Sequence, residues 1–207
     1  MATRAVVFLL LAASHLAAGL SMQPQPSLSL RKTLTSAKWR SRKFVNWAFT
    51  YANTEPYDLN SPEAVAFLAT NLGFFIVGNN MATMGGDPFL GAMCELAGSA
   101  SCWYHYTQVR VGGNRQSAVQ LALALDYSFA LPTLALATTY ATDLGNALPP
   151  SVVQWAAAAF VCLFYGCRHS VMYEQPRTFM VVHGAWHLCL QVAGQQLVET
   201  HMAILGT

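Results

Sequence analysis

The sequence predicts an all-α fold: a polytopic membrane helix bundle of about five transmembrane helices after an N-terminal presequence. Three observations carry this. Of the 207 residues, 54% are apolar and only 10% charged, against about 25% charged in a soluble domain. Mean hydropathy is +0.35. The charges also fall between long apolar tracts, each of about 20 residues, enough to cross some 30 Å of hydrocarbon at 1.5 Å per residue. The chain is too poor in polar groups to cover a soluble surface and too apolar for disorder. With a net charge of +2 and basic residues in a few short places, no nucleic-acid partner is expected.

Taken in order, residues 1–20 hold Arg4, an apolar run from Ala5 to Ala13, and the small residues Ala17, Ala18 and Gly19, which is the make-up of a signal segment. Residues 21–45 are rich in Ser and Thr and hold six Lys or Arg with no acid, the composition of a transit segment. The pair looks like the bipartite presequence of an alga with a secondary plastid. A plastid membrane, or an endoplasmic reticulum or Golgi membrane, is the expected location. Residues 46–207 form the bundle, with helices over 64–85, 88–109, 117–141, 150–168 and 177–199. Gly85-Gly86-Asp87-Pro88, Gly112-Gly113-Asn114 and Gly145-Asn146 with Pro149-Pro150 separate them, and Pro176 suits a first helical turn.

Sidedness follows from the basic residues. If the helices alternate, Lys and Arg at 31–43, Arg110, Arg115, Arg168 and Arg177 share the side of the mature N-terminus, which the positive-inside rule places in the cytosol, stroma or matrix. A cleaved secretory signal leads to the lumen instead. Plastid import, or an uncleaved first segment acting as a sixth helix, reconciles the two.

Ionisable groups within spans are costly and mark functional sites. Here they are Glu95, His105, Asp126, His183 and His187. Ser101 and His105 lie four residues apart on one helix face, and His183 and His187 lie one turn apart, the spacing at which two imidazoles reach one metal. His105 falls near the end of its helix, Asp126 about ten residues into the next, and His183 and His187 early in the last. At 1.5 Å per residue all four lie roughly 6–15 Å below the basic surface. Three imidazoles and one open position match a catalytic zinc site, which acidifies bound water to a pKa of about 7 and polarises a carbonyl. Asp126 is read as an orienter of a histidine or a general base, and Ser101 as a holder of the water or of a developing oxyanion.

Ser101-x-x-x-His105, Asp126 in the next helix, His183-x-x-x-His187, and Trp186-His187-Leu188 resemble the CREST superfamily. That group comprises alkaline ceramidases, progestin and adipoQ receptors, and membrane hydrolases of glycolipid-anchor remodelling. The resemblance implies zinc on His105, His183 and His187, with Ser101 and Asp126 supporting it. The family core has seven helices against the five read here, and the acidic segment of the ceramidases has no counterpart in Glu55, Asp58 and Glu63.

The expected function is therefore zinc-dependent hydrolysis of a lipid amide or ester, zinc-activated water attacking the carbonyl. Two other readings fit the same residues: a membrane b-type cytochrome with haem b between His105 and His183 or His187, and a non-catalytic, receptor-like membrane protein with a structural zinc. Five cysteines with no C-x-x-C imply no disulfide framework. Gly91, Gly98 and Gly194 suit close helix packing.

Overall fold

The computed structural model describes residues 56–112, 117–166 and 175–205, all within the unit Trp47–Thr207. The signal-like and transit-like segments lie outside the described residues, as do Arg115, Arg168 and His169. The described residues contain α-helices and short helical turns and no strand, so the all-α expectation holds.

Helix α1 (Pro62–Ala69) starts where Ser61 accepts from the Ala64 N–H at 3.2 Å, with Pro62 in the first turn and Glu63 facing the positive end of the helix dipole. It stops at Thr70 and Asn71, and α2 (Leu72–Thr83) follows at once. Side chains compete for carbonyls here: the Thr70 hydroxyl donates to the Phe67 carbonyl at 2.6 Å and Asn71 Nδ2 to that of Leu68 at 3.1 Å. The single helix expected over 64–85 is thus a broken one.

Helix α3 (Pro88–Val111) begins at Asp87, whose carboxylate accepts from the Leu90 N–H at 2.9 Å. It ends at Gly112, which has φ +69° and lies against Pro56. A side chain there would meet both backbone strain and the proline. Helix α4 (Ser117–Leu144) runs through Pro132, and the neighbouring Thr133 hydroxyl bonds the carbonyls of Phe129 and Met93, tying α4 to α3. A 3-10 turn (Gly145–Ala147) leads to α5 (Pro150–Val161), which passes into a π-helical turn (Cys162–Gly166). Helix α6 (Pro176–Leu205), 30 residues long, is the last of the described elements.

Helix α3 packs between α2 and α4, α6 packs against α5, α2 and α1, and α1 touches both α3 and α6. Glycines set the tightest crossing. A Cβ on Gly78 would lie 2.8 Å from the Gly91 carbonyl oxygen, and one on Gly91 2.6 Å from that of Gly78. Gly98 and Gly194 similarly receive Phe74 and Val77, as the small-residue reading expected. The main apolar core joins Phe67, Tyr104, Leu123 and Phe179.

Polar contacts define the two ends of the bundle. At one, the Tyr57 N–H bonds the Val109 carbonyl at 2.8 Å, and Arg177 bonds the Tyr57 hydroxyl and faces Glu63 at 3.4 Å. The end of α3 and the starts of α1 and α6 therefore meet, bringing Arg110 and Arg177 to one end of the bundle. At the other, the Tyr140 hydroxyl donates to Asp87 at 3.0 Å and Tyr140 packs on His201.

Among the described residues, two helical stretches are long and apolar enough to cross a membrane: Pro62–Thr83, with 22 residues, and Ser117–Ala147, with 31. Large apolar side chains on both face outward, among them Ile76 at 63% and Leu131 at 60% exposure. The other three expected spans differ for identifiable reasons. Helix α3 carries Glu95, Gln108 and Arg110, α6 carries three glutamines and Glu199, and the apolar stretch Pro150–Phe164 is short.

Candidate metal centre

His105 sits near the end of α3, and His183 and His187 sit about two and three turns into α6. Because those ends coincide, the three imidazoles meet. Their rings lie with centroids 4.7, 5.1 and 4.9 Å apart, and one nitrogen from each falls within 4.8 Å of the others. All three residues are at most 1% exposed. Among the described residues this group contains no carboxylate and no cysteine.

Hydrogen bonds fix the tautomer of two of the rings. His105 Nδ1 lies 3.0 Å from Gln108 Oε1, an oxygen that only accepts, so Nδ1 carries the proton. His187 Nδ1 lies 2.9 Å from Thr70 Oγ1, whose hydrogen is already given to the Phe67 carbonyl, so this Nδ1 also donates. In both rings the lone pair is left on Nε2. These two Nε2 atoms are buried and have no hydrogen-bond partner. An orphaned polar atom of this kind is costly in a core and calls for an explanation. A divalent metal supplies one.

The donor set fits such an ion. A centre with bonds of about 2.0–2.1 Å holds its nitrogens roughly 3.4 Å apart, so the rings need close by no more than roughly 1.4 Å. Ligating histidines ordinarily donate their other N–H to a carbonyl or hydroxyl, which Gln108 and Thr70 accept here. The walls are aromatic: Phe67 lies 4.7 Å from the His105 ring, Phe74 5.5 Å from His187, and Phe179 and Trp186 5.0 and 4.7 Å from His183.

Asp126, nine residues into α4, is buried and takes a hydrogen bond from the Ser101 hydroxyl. The structure thus brings His105, His183 and His187 into one group and pairs Ser101 with Asp126. Glu95 is half-buried on α3, and Cys102 and Cys189 stand outside the histidine group. Sequence reasoning missed Thr70 and Gln108. Gln108 was within reach, one turn from His105. Thr70 acts only through the break between α1 and α2, which nothing in the local pattern announces.

The chain matches no protein-family model, no curated protein and no solved structure. The resemblance to the CREST superfamily rests on the quoted residues alone.

Proposed function

We propose that this chain is a zinc-dependent integral membrane hydrolase of a lipid amide or ester, with five spans and its metal centre toward the end that carries Arg110 and Arg177. The observation that carries the reading is the convergence of three buried imidazoles, two of them held by Thr70 and Gln108 with their Nε2 lone pairs unclaimed. Zinc, when bound, supplies Lewis acidity, polarising a carbonyl and easing the loss of a water proton.

The chain's own residues do the rest. His105, His183 and His187 are neutral donors, so the ion keeps its full charge at the site. Asp126 takes the proton of the attacking water and returns it to the leaving amine or alcohol. Ser101 is a positioning residue: its hydroxyl faces Asp126 and holds that carboxylate in place. The aromatic walls exclude bulk water and strengthen each polar interaction inside them.

The haem b reading is less well supported. A haem needs two ring nitrogens on opposite faces of a macrocycle, whereas these rings pack edge-to-face against one another. A receptor-like protein with a structural zinc is separated from the hydrolase by Asp126→Asn. In a hydrolase that variant keeps its zinc and loses hydrolysis of fluorogenic lipid amides and esters; equal hydrolysis would remove Asp126 from the mechanism. Location in a plastid, endoplasmic reticulum or Golgi membrane follows the presequence composition.

A further inference from the structure

The metal centre is sealed: its ligands are at most 1% exposed and lie under aromatic rings, so an ion needs a way in. Helix α6 carries one polar residue every fourth position beyond the pair of histidines. His183, His187, Gln191, Gln195 and Glu199 follow one another at this spacing, placing each about one turn below the last. From His187 to Glu199 the stripe runs about 18 Å toward the end remote from Arg177.

An open groove of about 400 Å³ between α2 and α6 follows this stripe: Gly73 with the apolar Ile76 and Val77 forms one wall, and on the other the polar stripe, with Gln196, runs between Leu188 and Val192. At about 30 Å³ per water, it has room for roughly a dozen. Its inner end abuts the metal centre: Gln191 donates to the Thr70 carbonyl, and the Thr70 hydroxyl accepts from His187. Gly73 makes space for that glutamine, since a Cβ there would lie 2.1 Å from Gln191 Oε1. At the outer end Gln195 takes a hydrogen bond from Asn80 at 2.9 Å and donates to the exposed Glu199 at 3.0 Å. Gln196 has a buried carbonyl oxygen with no hydrogen-bond partner. Amide and carboxylate oxygens are ligands for hydrated divalent cations, and no Lys or Arg lines the groove. Within a membrane, ionisable side chains face the bundle interior or a water-filled cavity.

We infer that this groove is the route by which a divalent cation reaches the three histidines, with Glu199 drawing it in and Gln191 as the last contact before His187. The inference rests on the reading of His105, His183 and His187 as metal ligands. Cobalt(II) is a suitable probe, because its visible absorption reports binding to imidazole without any assay of hydrolysis. The full chain in detergent, stripped by a chelator, is mixed with cobalt at low salt in a stopped-flow instrument. Glu199→Gln should slow uptake about fivefold or more and Glu199→Lys should slow it further, with the final absorbance unchanged. High salt should narrow the difference. Asp143→Asn, the same charge change at another exposed site, should load as the wild type does. Equal rates in all four proteins, or equal slowing by Asp143→Asn, would overturn the route while the metal centre stands. A folded wild type that takes up no cobalt would overturn both.

Discussion

His187 donates its Nδ1 proton to the hydroxyl of Thr70, 117 residues earlier in the chain. The bond joins the last helix to the break between the first two, and it works because Thr70 has already spent its own hydrogen on Phe67. One side chain thus ends a helix and sets the tautomer of a metal-ligand candidate.

Thr70 therefore has a testable weight. Thr70→Val removes the acceptor and should weaken zinc affinity about 10- to 100-fold, the usual effect of losing such a partner. Thr70→Ser should restore most of it. Competition against a chromophoric chelator measures both, and equal affinity in Thr70→Val would detach Thr70 from the metal.

Gln108→Leu leaves the His105 Nδ1–H buried without its acceptor. The metal-free protein should lose about 1–3 kcal/mol of stability, read from thermal or denaturant unfolding in detergent, and zinc should bind more weakly as well.

The site was more legible in the sequence than the bundle around it. Spacing and depth alone put His105, His183 and His187 together, because helical rise converts position in the chain into height. The supporting contacts were not legible, since Thr70 reaches His187 only through a local break and a tertiary approach. Depth says nothing of rotation about the helix axis, so the pairing of Asp126 with Ser101 could not be read from height alone. The helices followed hydrophobic tracts and turn residues closely at α3, and less so where Thr70 and Asn71 interrupt a run that apolar composition reads as continuous.

Helix packing gives a prediction independent of the site. Gly91→Ala places a methyl 2.6 Å from the Gly78 carbonyl and 2.7 Å from the Ala82 Cβ, where backbone must move. It should cost about 1–3 kcal/mol. Gly145→Ala, at φ +52° with nothing within 4 Å, should cost only about 1 kcal/mol of backbone strain. Unfolding of the two variants in one detergent gives the order, and a more stable Gly91→Ala would contradict the close crossing.

The Ser101–Asp126 pair predicts graded losses of hydrolysis. Asp126→Asn should lower kcat about 10²- to 10⁴-fold, while Ser101→Ala, which only frees the carboxylate to wander, should lower it roughly tenfold by loss of alignment. Zinc content should stay at the wild-type value in both.

The most direct test is elemental analysis of the purified, folded protein in detergent, wild type beside His187→Ala. The metal centre predicts close to one zinc per wild-type chain and almost none in the variant. A folded wild type without zinc, or a variant that keeps as much zinc as the wild type, would contradict it.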